Sequence, residues 1–160
     1  MRLKGIAIIA SMLLVSINLF SQTDTIPPLN KRVVQYVNSV IGTQVDRGEC
    51  WDLAYQALTL IEAKWNGEYV YGKVIDYKKE IVYPGDIIHF KGVVVKQTKG
   101  LTTITETMDQ HTAIIMKVYG KGIYELAHQN TGFSGRKVGM SPIDLNGVTK
   151  GRVTIYRPVQ

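Results

Sequence analysis

The chain has 160 residues, 45% of them hydrophobic, and carries 19 Lys and Arg against 13 Asp and Glu. This modest positive excess is interspersed with acids and forms no basic helix face, which argues against a nucleic-acid-binding protein. A single cysteine excludes an internal disulfide framework, and no repeat, low-complexity tract or second domain boundary is evident.

In chain order, the first feature is a secretory signal. Arg2 and Lys4 precede the apolar run from Ile6 to Phe20, and a small residue, Ser21, comes before the polar segment from Gln22. The run is short of the roughly 20 residues that cross a bilayer. Residues 1–21 are therefore expected to be a signal peptide cleaved near Ser21 or Gln22, with an uncleaved N-terminal anchor as the alternative. No cysteine follows for lipidation, so the expected address is the bacterial envelope or the space outside it, without stable membrane insertion. The rest, 22–160, is of single-domain length. Without Arg2 and Lys4 it keeps 17 basic against 13 acidic side chains, a net +4 that favours anionic surfaces such as cell-wall polymers.

Helical patterning is confined to the first half of this domain. Asn30 is suited to cap a helix carrying Val33, Val34, Val37, Val40 and Ile41, stopped by Gly42. A polar loop over 43–48 leads to a second helix, in which Cys50, Leu53, Ala54, Ala57, Leu58 and Ile61 form one apolar stripe that Asn66-Gly67 ends. The period then changes. Short strands are expected at 73–76, 87–90, 93–96 and 101–106, with Pro84-Gly85-Asp86 a turn and Lys99-Gly100 a hairpin tip. Further strands follow at 112–119, 123–130 and 153–156. Helices first and antiparallel strands after describe an α+β domain.

Cys50 falls in the first turn of its helix, where free N–H groups and the helix dipole favour a thiolate and could cradle an oxyanion. The competing reading is burial, since a cysteine continues the apolar stripe. Export favours chemistry, because a lone thiol in an oxidising compartment is a liability unless used. His111 opens a strand that is apolar on both faces, and His128 and Asn130 share a face of the next one. Either could hold His111 in the correct tautomer. The turn between Tyr119 and Ile123 decides this. A Gly120-Lys121 loop, or a compensating bulge, sets His111 opposite Asn130 and diagonal to His128, whereas a three-residue loop turns both away. His89 lacks such company and reads as structural.

Gly48-Glu49-Cys50-Trp51-Asp52-Leu53 resembles the nucleophile segment of CHAP-type amidases and peptidases. Pro84-Gly85-Asp86-Ile87 is similar to a turn shared by CHAP and NlpC-type cell-wall peptidases, His111-Thr112-Ala113-Ile114-Ile115 to their base-bearing strand, and Ala127-His128-Gln129-Asn130 to the segment supporting the base. The resemblance implies a papain-like α+β fold, and since the acidic cluster that binds calcium in some CHAP domains is not evident, only Asp46 standing before the motif, no metal or cofactor is expected. The resemblance further implies Cys50 as nucleophile, His111 as general base, His128 as its orienting group and Asn130 as a further polar partner. Three departures stand out. Histidine replaces the usual CHAP glutamate at 128. Glu49 replaces a common glutamine, and its carboxylate should raise the thiol pKa. Residues 92–110 exceed the compact pattern and suggest a substrate-shaping hairpin.

The expected function is a secreted or periplasmic cysteine amidohydrolase that cleaves peptidoglycan peptide or amide bonds through a thioacyl intermediate. The alternatives are a non-catalytic envelope-binding module of the same fold and a thiol acyltransferase.

Overall fold

Pro27 and Pro28 set the first helix. Proline is pre-organised for the first helical position, where its missing N–H costs nothing, and α1 runs Pro28–Val40 with Pro27 as N-cap. These residues belong to a computed structural model that describes residues 25–160; the expected signal segment, 1–21, lies outside the described residues. Asn30 is therefore not the cap. It lies inside α1, fully buried, and its Nδ2 donates to Pro84 O (3.1 Å) and to Asp86 Oδ1 (2.7 Å). Sequence makes Asn30 look like a cap because it is blind to this partner 56 residues away. The second helix, α2, spans Cys50–Leu60. It ends at Ile61 rather than at Asn66-Gly67, because Glu62 takes a left-handed φ of 56° and breaks the ladder.

Six antiparallel strands follow: β1 Lys73–Ile75, β2 Ile87–Lys99, β3 Thr102–Gly120, β4 Ile123–His128, β5 Gly139–Asp144 and β6 Val148–Arg157. They form one sheet in the order β1-β6-β2-β3-β4-β5. Where sequence suggests two pairs of short strands, β2 and β3 are each continuous and form one long hairpin, paired from Ile87↔Ile114 to Lys99↔Thr102. Gly92 does not end β2. It sits in a register shift against β6, and Gly151 faces its carbonyl so closely that no Cβ would fit. Strand β5 is not anticipated, since Gly139-Met140-Ser141-Pro142-Ile143-Asp144 contains a glycine and a proline. The proline is accommodated because β5 is an edge strand.

Both sheet faces are buried. Val33, Val37, Leu53, Ala57 and Leu58 from the helices share one apolar cluster with Ile87, Ile114 and Ala127. The opposite face carries a second cluster including Ile88, Phe90, Ile115, Leu126 and Ile155. Double burial explains why 112–116 reads as apolar on both faces.

The Pro-Gly-Asp turn ties these parts together. Asp86, fully buried, accepts from Asn30, from Arg157 Nε (3.1 Å) and Nη2 (2.8 Å), and from Tyr83 N (2.9 Å). Gly85 has φ +88°, and a Cβ there would lie 2.4 Å from Asn30 O, so only glycine lets the turn meet α1.

Candidate active site

Cys50 opens α2, with Glu49 as N-cap. Asp52 accepts from the Glu49 N–H (3.0 Å) and from Arg47 Nη2 (2.6 Å), which fixes the helix start from both sides. The loop before Cys50 is held from β4's end by Gln129. Its side chain, fully buried, accepts from Val45 N (3.1 Å) and donates to Val45 O (3.0 Å) and Glu49 O (2.9 Å). Sequence gave no cue to this clamp, because Gln129 reads as the outward-facing neighbour of His128.

The thiol lies towards β3, and the backbone N–H groups of Thr112, Trp51 and Cys50 itself act to lower its pKa. Thr112 is set in turn by its hydroxyl, bonded to Tyr71 OH (2.8 Å) and His89 Nδ1 (3.0 Å). His89 thus supports the strand from the face opposite His111.

The β3–β4 register controls the histidines. The turn is Lys121-Gly122, closed by Gly120↔Ile123, one residue along from the Gly120-Lys121 loop. Two register shifts, at Tyr119 and Met116, then bring the strands to Ile115↔Leu126 and Ile114↔Ala127. That is the register in which His111 stands opposite Asn130 and diagonal to His128. His111 Nε2 lies 2.8 Å from His128 Nδ1, and His128 Nε2 lies 2.9 Å from Ser141 Oγ on β5. The chain is satisfied by two tautomer sets, of which one has His111 Nε2–H donate to His128 and His128 Nε2–H donate to Ser141. That set leaves His111 Nδ1 as a free acceptor. Ser141 could not be read from sequence because β5 itself was not.

Asn130 departs from its expected role. Strand β4 stops at His128, and Asn130 begins a turn with φ 59°. Its Nδ2 donates to Glu49 Oε2 at 2.7 Å instead of supporting His111. Arg136 Nη2 stands 3.5 Å from the other Glu49 oxygen. Asn130 and Arg136 together hold the Glu49 carboxylate.

The electrostatics differ from a thiolate–imidazolium pair. Burial raises the Cys50 pKa above its ordinary value, with a further upward contribution from Glu49, against the lowering effect of the Thr112 N–H. Burial lowers His111 to about 4 and His128 to about 3, and His89 adds to the drop at His111. The resting site is therefore a thiol beside neutral imidazoles. The expected activation of Cys50 by its helix terminus is outweighed by burial.

A stability consequence follows. Both folded histidine pKa values lie below the ordinary 6.5, so the neutral forms favour the fold, fully above pH 6.5 and progressively less as pH falls through 4 towards 3. Unfolding free energies from denaturant titrations between pH 6.5 and pH 4 should fall by roughly 1.4 kcal/mol per pH unit for each of the two histidines. His111→Ala should flatten that slope. A slope unchanged in that variant would show that His111 is not held neutral by the fold.

Cys50, His111, His128, Asn130, Ser141 and Phe133 all line one cavity of about 560 Å³. Among the described residues no cluster of His, Cys, Asp and Glu could hold a metal ion.

No curated protein matches the sequence. Among solved structures, the chain is similar to the crystal structure of Ly7917, with 16% identity over 79% of this chain and 62% of that one and a TM-score of 0.48. It is likewise similar to the crystal structure of Ly7917 with the hydrolyzing product of MDP, with 18% identity, 81% and 63% coverage and a TM-score of 0.47. It spans less than two thirds of either Ly7917 chain. The family described as the AIM3/BBC1 cysteine proteinase-fold domain matches residues 28–160, from the first residue of α1 to the C-terminal residue. The chain belongs to this cysteine proteinase-fold family.

Proposed function

We propose that this protein is a cysteine amidohydrolase of CHAP/NlpC type, exported to the bacterial envelope, that cleaves peptide or amide bonds of peptidoglycan. One observation carries the reading: a helix-terminal thiol shares a cavity with a His111–His128–Ser141 chain, one tautomer of which leaves His111 Nδ1 free to act as a base. Cys50 Sγ attacks the carbonyl while its proton passes to His111 Nδ1. His111 then returns that proton to the leaving amine, giving a thioester at Cys50. His128 and Ser141 act as positioning residues that hold the proton-accepting tautomer. Water, activated by His111 in turn, releases the acyl group and restores the thiol.

Incubation of purified protein with defined wall fragments, with products read by mass, tests the substrate class. The expected result is a fragment pair differing from its parent by one water. Transfer of the acyl group to an added amine, with little water product, would make the enzyme an acyltransferase. Binding without any product would favour an envelope-binding module.

A further inference from the structure

Strand β3 has a partner on both sides only along part of its length. Its pairing with β4 covers Ile114–Gly120, whereas its pairing with β2 continues outward to Thr102. Residues 102–110 therefore keep one edge free of any strand among the described residues. The cavity that holds Cys50 lies along this edge, lined in unbroken succession by Glu106, Thr107, Met108, Asp109, Gln110 and His111. A strand face would supply only every second residue, because side chains alternate. Six in a row mark an edge.

Peptide groups alternate as well, pointing in turn to one neighbour and then the other. The Ile115 N–H bonds to Asp86 O on the β2 side, so the peptide groups of Thr112, three residues back, turn the opposite way, where its N–H acts on the Cys50 thiol. The β2–β3 register is the same at Phe90↔His111, Lys91↔Gln110 and Val93↔Met108. Stepping by two from Thr112 therefore puts the N–H and C=O groups of Gln110, Met108 and Glu106 on the open side, in line with the thiol. Native edges are commonly blunted by lysine or proline, and 102–110 contains neither. It carries instead Glu106 and Asp109, both exposed and without an ion pair among the described residues.

We propose that the β3 edge from Glu106 to Gln110 binds the substrate as an added strand, an extended wall peptide carrying a basic side chain, and delivers its scissile carbonyl to Cys50. Main-chain bonds along the edge supply affinity, and Glu106 and Asp109, on opposite faces of the strand, set up a negative field along the edge that favours a basic residue. This rests on Cys50 as the nucleophile and adds the substrate's backbone form and charge.

The test compares alkylation of Cys50 by Ala-Ala-Lys chloromethyl ketone, the same reagent with N-methylated backbone amides, Ala-Ala-Glu chloromethyl ketone, and chloroacetamide, which needs no groove. The parent lysine reagent should label about tenfold faster than its N-methylated form, since lost backbone bonds each weaken binding several-fold. It should also exceed the glutamate reagent several-fold, a preference that Glu106→Gln with Asp109→Asn removes. Met108→Pro deletes one N–H on the open side and should lower the peptide-to-chloroacetamide ratio. Equal rates for the parent and N-methylated reagents on the native protein would overturn the edge-binding inference, whatever the proline variant does to folding. A chloroacetamide rate unaffected by His111→Ala would overturn the nucleophile reading instead, and the inference with it.

Discussion

Cys50→Ala should abolish turnover while leaving the fold intact, because no other side chain in the cavity can form the thioester and the deleted sulfur borders open space. His111→Ala should be nearly as severe, a loss on the order of a thousandfold or more, since general acid–base catalysis alone contributes about 10²–10⁴. Burial makes the dependence on His111 stronger. With the thiol pKa raised, little thiolate exists at neutral pH without a base in contact. His128→Ala should be milder, and His128→Glu should keep substantial activity, because a carboxylate at that position would stabilise the imidazolium formed at His111. Rates of wall-fragment cleavage for the four variants, with folding checked by circular dichroism, decide the ranking. A His128→Ala variant as inactive as Cys50→Ala would move His128 from positioning into the chemistry.

The largest stability loss is expected at Asp86, far from the thiol. Asp86→Ala would leave the Arg157 guanidinium, four-fifths buried, without its carboxylate, and would strip Asn30 and the Tyr83 N–H of their acceptor. Removing one partner of a buried ion pair costs about 3–5 kcal/mol. Asp86→Asn, which keeps shape and part of the bonding, should cost less. Urea denaturation of the three proteins measures both. A loss below about 1 kcal/mol for Asp86→Ala, the range of a surface pair, would mean that the turn is not the hub joining α1 to β6.

How much of this was legible in sequence follows the range of the interactions. The second helix and the thiol at its start were readable because a 3.6-residue apolar stripe is a local signal, and β1, β4 and the start of β2 because period-two runs and turn residues are local too. The diagonal placement of His111 and His128 was also readable, although through two bulges rather than the simpler loop. What failed depends on distant partners. Asn30 has a cap's chemistry, yet Asp86 claims its side chain. Asn130 shares His128's parity in sequence, yet the chain leaves the strand between them. Gln129, the clamp on the loop before Cys50, and Ser141, the end of the histidine chain, bond across more than ten residues to groups that no local pattern relates to them. The resting charge state is hidden from sequence for the same reason. A helix terminus is visible in sequence, while the depth of burial that outweighs it belongs to the packed fold.

Mixing the protein with p-nitrophenyl acetate most directly tests the central claim that Cys50 attacks carbonyls with His111 as its base. The expected result is a burst of nitrophenolate stoichiometric with protein, an acetyl group found on the Cys50 peptide by mass spectrometry, and loss of the burst in His111→Ala. Acetylation elsewhere, or an acetyl-Cys50 burst that persists unchanged in His111→Ala, would contradict it.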